Sequence, residues 1–318
     1  MADRNPSIEL LRILLMFGIC LLHVVAQGSH PSRLLVNLLS PCVCGFVFIS
    51  GWFGVRFSIT KILRLQGIAL YAAFLCAAIH QGLAGDASAR TYFELAAKMW
   101  KHFWFLHAYV VMMCFAPAVN FIVENARMRQ ALAICAPIIA FSCVWSWIAG
   151  MPVFGRLFPK PSGIGAYSGF TLLAIYAVAR LCRNYLPTLP RNCMIVCFAV
   201  SILGVLLLGG DYHSPFAIVL AACVFYLFCA LPPPCLWGVR TATLISPSLF
   251  SVYLLHSHGH VGFPLIHRLE SFASGHMPIA LGYVVCAFIV FVVCVAADIP
   301  RRLFAYCILK DKGGKGFG

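Results

Sequence analysis

Charge is scarce in this chain. Of its 318 residues only 10% are Asp, Glu, Lys or Arg, where a soluble domain of this length would carry roughly 25%. Hydrophobic residues make up 62% and the mean hydropathy is +0.93. Such a balance excludes a water-soluble globular enzyme and describes a polytopic, all-α membrane protein. Acids are rarest, nine against 23 bases, for a net charge of +14. Although there are sixteen cysteines, no C-x-x-C pair occurs, which removes the usual thiol-redox and zinc spacings. Most of them (Cys20, Cys76, Cys114, Cys135, Cys143, Cys197, Cys223, Cys286, Cys294) sit in apolar runs and act as small hydrophobes. Cys42 and Cys44 are the one faintly metal-like pair, and they lack partner ligands. No clear internal repeat is visible, which disfavours the repeat-built transporter folds.

The basic excess invites a nucleic-acid partner, but its distribution argues against one. Apolar runs place membrane spans over 7–27, 35–55, 62–84, 102–123, 130–150, 165–181, 192–210, 214–231, 243–260 and 278–298. With the N-terminus in the cytoplasm, the inner loops hold Arg4, Arg56, Lys61, Arg127, Arg129, Arg183, Arg191, Arg240, Arg301, Arg302, Lys310, Lys312 and Lys315. The outer loops hold Arg33, Arg90, Lys98, Lys101, Arg156, Lys160 and Arg268. Arg64 and Arg180, at span ends, can snorkel inward. The bias predicts ten helices with both termini inside. The first run is long, contains Arg12 and shows no small-residue cleavage site, so it reads as a retained span. The expected organisation is one membrane domain over 1–303 and a short basic cytoplasmic tail over 304–318, its polar end KDKGGKGFG disordered, with no soluble domain attached.

The first span carries Glu9, Arg12 and His23. A central Arg in a membrane helix costs on the order of 3 kcal/mol, so it needs a partner or a purpose. Arg12 and His23, eleven residues apart, fall on one helical face roughly 16 Å apart. That face pairs a fixed cation with a group that exchanges protons near neutral pH, the equipment of a catalytic or a transport path. The plainer reading pairs Arg12 with Glu9 and gives His23 an interhelical hydrogen bond.

Further polar residues interrupt the apolar pattern. Ser50-Gly51 breaks an apolar helix, and Gly51 permits close backbone approach. Lys61 and Arg64 are three apart on a helical start and can face one anionic group such as a phosphate, or serve only as positive-inside anchors. His102, Trp104, His107 and Tyr109 gather at an outer span end, where aromatics such as Trp100 and Tyr109 also act as interfacial anchors. Asn120 lies near the inner end, placed to cap or to bond between helices, and Ser214-Pro215 reads as a helix start. Tyr253 and His256 share a face, with His258 and His260 beyond them. On a helix, residues two apart do not face each other, so H-x-H-x-H is a weak metal motif and no metal is expected.

Taken in order, these blocks resemble the membrane acyltransferase-3 family. Arg12…His23 within ELLR…LLH is similar to the family's R-x10-H signature. FVFISGWFG resembles its F-F-x-x-S-G-Y-F block, with Trp52 in place of Tyr, and FWFLHAYVVMMCFAPAVN resembles the block of its fourth span. AYSGFTLLAIYAVARL, DYHSPF and SVYLLH follow in the family's order, so the likeness covers nearly the whole chain. It implies ten core helices in the bacterial plasma membrane, acyl-CoA (acetyl-CoA foremost) as cytoplasmic donor, and O-acyl transfer to a hydroxyl of a cell-surface polysaccharide or glycan precursor. The partners implied are membrane lipid and that glycan, with no nucleic acid; the oligomeric state stays open. The family's basic R-x-x-R appears as Lys61…Arg64, which keeps the charge and loses one bidentate fork.

On this resemblance His23 is the general base or acyl relay and Arg12 organises the donor or neighbouring carboxylates. Glu9 pairs with Arg12, and Lys61 and Arg64 hold the donor's phosphates. Ser50 and Trp104 belong to the family blocks and count as binding residues, and Tyr253 and His256 line the acceptor side. Two other classes compete. A proton-coupled transporter or glycan flippase would use the same Arg12/His23 face, and a membrane scaffold would use its polar residues only to lock helices together. Consumption of acyl-CoA separates the enzyme from both.

Overall fold

Within a bilayer the backbone must satisfy its own polar groups, and a helix does so inside one segment. The computed structural model describes residues 5–84, 88–151, 154, 165, 167–232 and 234–311, and among them every regular element is helical, with no strand. The bases Arg4, Arg156, Lys160, Lys312 and Lys315 lie outside the described residues, as does all of the expected tail after Asp311.

Chain order runs α1 (Pro6–Gln27), α2 (Arg33–Leu39), α3 (Pro41–Phe53), α4 (Ile59–Ala84) and α5 (Ala89–Lys101). Next come α6 (Trp104–Asn125), α7 (Met128–Ile139), α8 (Ser146–Gly150), α9 (Gly169–Tyr185), α10 (Arg191–Leu208) and α11 (Pro215–Ala230). Last are α12 (Leu236–Ile245), α13 (Leu249–His256), α14 (Gly262–Ser274), α15 (Ile279–Ala297) and α16 (Ile299–Asp311). Among the described residues seven stretches are long and apolar enough to cross a bilayer: Pro6–Gln27, Arg33–Phe53, Ile59–Leu83, Trp104–Asn125, Met128–Gly150, Arg191–Leu208 and Ile279–Cys307. The molecule is a multi-pass, all-α membrane protein.

Local chemistry sets the ends. Asn5 caps α1, its side chain accepting from the Ser7 amide at 3.0 Å, and Pro6 occupies the first turn, where its missing N–H costs nothing. Helix α3 stops at Gly54, whose φ of +75° favours glycine. Pro137 lies inside α7, and the chain passes through a π segment over Ala140–Trp145 before α8. The continuous span expected over 243–260 is instead three pieces. Pro247 sits in a 3₁₀ turn (Ser246–Ser248) between α12 and α13, and α13 ends at His256. Arg302 donates to the Leu244 carbonyl at 2.8 Å and to Ser248 Oγ at 3.3 Å, covering acceptors exposed by that break. Residues 304–311, expected to be tail, continue α16.

The contacts divide the chain into two compact units. One comprises residues 1–31, 64–103 and 232–318. At its centre α1 packs against α12, α13, α14 and α15. Cys20, Val24 and Val25 are fully buried there, and Phe17 meets Phe291 edge-on. The other comprises residues 32–63 and 104–231. Its α3 lies between α9 and α11. Gly51 makes this possible, because a Cβ there would sit 2.6 Å from the Tyr176 carbonyl oxygen and 2.7 Å from Ala179 Cβ. The close approach expected of Gly51 is present, while α3 runs unbroken through Ser50-Gly51 to Phe53.

Candidate functional site

Helix α1 places its polar residues along one face of the first unit. Near its start Glu9 Oε1 accepts from Arg12 at 2.8 Å. The Glu9 side chain is one-tenth exposed and that of Arg12 about one-third (35%). The ion pair lowers the cost of placing Arg12 in an apolar helix and leaves part of its guanidinium reachable. Glu9 Oε2 is sealed from solvent and has no hydrogen-bond partner among the described residues.

At the other end of α1, His23 Nδ1 lies 2.9 Å from His256 Nε2. His256 is fully buried at the C-terminus of α13, and its Nδ1 lies 2.6 Å from the Val252 carbonyl oxygen. A carbonyl oxygen only accepts, so His256 Nδ1 carries the proton and its Nε2, in the neutral ring, is an acceptor. His23 Nδ1 therefore donates, and the lone pair of His23 is on Nε2. That nitrogen makes no hydrogen bond among the described residues and is not sealed from solvent. One backbone carbonyl thus fixes two tautomers in series and leaves a half-buried imidazole with an available basic nitrogen. Phe263, in the first turn of α14, holds the His23 ring edge-on at 5.8 Å between centroids. Tyr253 is buried one turn before His256, their rings 6.4 Å apart.

A model of the acyltransferase-3 family, described as an acyltransferase domain, matches residues 5–298, a stretch that contains Glu9, Arg12, His23 and His256. The chain belongs to the acyltransferase-3 family. No curated protein and no solved structure matches it. The molecule is a membrane acyltransferase.

The second unit of this acyltransferase holds Ser50, Lys61 and Trp104. Ser50 Oγ donates to the Phe46 carbonyl at 3.0 Å and lies 3.1 Å from Tyr109 Oη. Trp104, in the first turn of α6, stacks on Tyr212 and meets Tyr167 edge-on at 4.8 Å. Lys61 and Arg64 are both exposed at the start of α4, three residues apart, with no ion-pair partner among the described residues. The turn before them is clamped. Tyr176 Oη accepts from the Val55 amide at 2.8 Å and donates to Asn120 Oδ1 at 2.7 Å, and Asn120 Nδ2 donates to the Val55 carbonyl at 2.9 Å. Asn120 thus bonds between elements, as its position suggested. Arg180, expected to snorkel from a span end, is instead buried and ion-paired with Glu124. Arg183, one turn on, lies over the Trp52 ring at 5.3 Å.

Sequence reasoning placed Tyr253 and His256 near the acceptor but did not couple His256 to His23, nor did it find the Val252 carbonyl or Phe263. A shared helical face names residues that look the same way and says nothing of the helix they meet. His258 and His260 follow α13 in a turn, where the His260 amide donates to His258 Nδ1 at 3.2 Å. Among the described residues no group of three or more His, Cys, Asp or Glu is arranged to hold a metal ion.

Proposed function

We propose that this protein is an integral-membrane O-acyltransferase that moves an acyl group, acetyl in the simplest case, from cytoplasmic acyl-CoA to a hydroxyl of a cell-surface polysaccharide or glycan precursor. The observation that carries the reading is the His23–His256–Val252 series, which leaves His23 Nε2 as a base. An alcohol is a poor nucleophile at neutral pH until a positioned base takes its proton, a contribution of roughly 10²–10⁴ in rate. In the proposed step His23 Nε2 takes the acceptor's hydroxyl proton as the oxygen attacks the thioester carbon. Collapse of the tetrahedral intermediate breaks the C–S bond, and the proton on His23 passes to the departing thiolate. While His23 is an imidazolium, its Nδ1–H bond to His256 is charge-assisted and steadies the cation. Arg12, roughly 16 Å away along α1, is too far to serve the same carbon and is assigned to the donor's anionic portion. The exposed Lys61 and Arg64 suit the donor's phosphates.

In this reading both termini face the cytoplasm of a bacterial cell. Ten crossings of the plasma membrane arise when the seven long spans are joined by α9, α11 and the α12–α13 pair. The test is purified protein in liposomes with radiolabelled acetyl-CoA, with and without glycan extracted from the cell surface. Glycan-dependent label transfer with equal release of free thiol is the expected result. A folded protein that consumes no acyl-CoA while moving solute across the vesicle would move the transporter reading to the front.

A further inference from the structure

Beyond His23, where α1 ends, the same unit holds a second polar feature. Glu270 of α14 is buried, only 3% exposed. Its Oε2 accepts from Ser29 Oγ at 2.6 Å. Among the described residues no cation pairs with it, although buried carboxylates are almost never found without a partner charge or several donors. Its Oε1 makes no hydrogen bond among the described residues and is not wholly enclosed. Gly28 brings the backbone close against this carboxylate. A Cβ on Gly28 would lie 3.1 Å from the Tyr283 ring and 3.4 Å from Glu270 Cγ. Tyr283 donates to the His30 carbonyl at 2.6 Å, pinning the chain just after Ser29.

Two helices lead from His23 to this pair. Along α14, Phe263 touches the His23 ring and Glu270 lies seven residues further, about 10 Å on. Along the first helix, His23 is followed after about 6 Å by the end of α1 at Gln27, and Ser29 comes just beyond. Both routes put the Ser29–Glu270 pair one sugar ring or two past the base. A carboxylate with an oxygen not wholly enclosed, steadied by a hydroxyl and unpaired by a cation, accepts hydrogen bonds from neighbouring sugar hydroxyls.

We infer that Ser29 and Glu270 form an acceptor subsite that holds hydroxyl groups of the glycan while another hydroxyl is presented to His23. The inference rests on the acyltransferase reading and deepens it on the acceptor side. Neither residue is catalytic in this account; both position the acceptor.

The experiment measures initial rates with chemically deacylated cell-surface glycan as acceptor and radiolabelled acetyl-CoA as donor, for wild type, Glu270→Gln and Ser29→Ala. Loss of one hydrogen bond to a charged group corresponds to about a 10- to 100-fold weakening. Glu270→Gln is expected to raise the KM for glycan by that factor while the KM for acetyl-CoA stays put. Ser29→Ala is expected to raise the glycan KM by a smaller factor. If Glu270→Gln fails to elute as a folded species in detergent, Ser29→Ala decides, because it removes only one hydroxyl from an exposed residue. A folded variant set with unchanged glycan KM, or with both KM values raised together, overturns the subsite. Wild type that consumes no acetyl-CoA defeats the underlying reading instead, and does so before any variant is made.

Discussion

Replacing His256 separates its role from that of His23. It touches no substrate in this account and acts by fixing where the His23 proton sits. Its two ring nitrogens bridge 2.6 Å to the Val252 carbonyl and 2.9 Å to His23 Nδ1, and its side chain is fully buried. His256→Ala removes both bonds. Hydrogen bonds within a membrane contribute about 0.6 to 2 kcal/mol each, so the two together amount to roughly 1 to 4 kcal/mol of local order. His23 would then be free to rotate and to shift its proton to Nε2, where it has no basicity to offer. Hydrogen-bond partners behind a metal-bound histidine typically matter 10- to 100-fold, and a partner that fixes a reacting histidine should act on the same scale, less than the full contribution of the base. We therefore expect His256→Ala to lower kcat/KM for acyl transfer by about one to two orders of magnitude. His256→Gln should lie between Ala and wild type, because its amide oxygen reaches the place of Nε2 and can still accept from His23. The assay is thiol release from acyl-CoA in detergent, with folding checked by size-exclusion elution. Wild-type kcat/KM in folded His256→Ala would refute the argument, and Gln no better than Ala would refute its tautomer step.

Other perturbations report on other parts of the molecule. Gly51→Ala drives a methyl group onto the α9 backbone at 2.6 Å, so overpacking should cost about 1–3 kcal/mol, read as a lowered thermal midpoint in detergent. An unchanged midpoint would mean that α3 and α9 are less tightly apposed. Glu124→Gln strips Arg180 of its counter-ion, and since the Glu124 side chain is 56% exposed the expected loss is about 1 kcal/mol, well short of that for a wholly buried pair. Neutralising Lys61 and Arg64 together should raise the KM for acyl-CoA several-fold and leave that for glycan alone; no change would return them to topology signals.

The apolar architecture was legible because a membrane-crossing helix is written as an unbroken run, and α1, α6, α10 and α15 fall within a few residues of the expected spans. The span over 243–260 misled because hydropathy registers composition, while Pro247 acts on the backbone. Helices α5 and α14, thirteen residues each, escaped notice because they are amphipathic rather than apolar throughout. In the site, the spacing of Arg12 and His23 was readable from helical periodicity alone. The partner of His23 was not, since His256 is 233 residues away and only packing brings the two rings together. Arg180 was read as a basic span end, and its turn toward Glu124 depends on α9 lying beside α6.

His23 is the proposed base of the acyl transfer. The measurement that tests this role most directly is acyl-CoA-dependent label transfer to glycan by wild type and by His23→Gln, reconstituted side by side at equal folded protein. Wild type is expected to transfer label with matching thiol release, and His23→Gln to be slower by about 10²–10⁴. Transfer by His23→Gln at the wild-type rate would contradict that role.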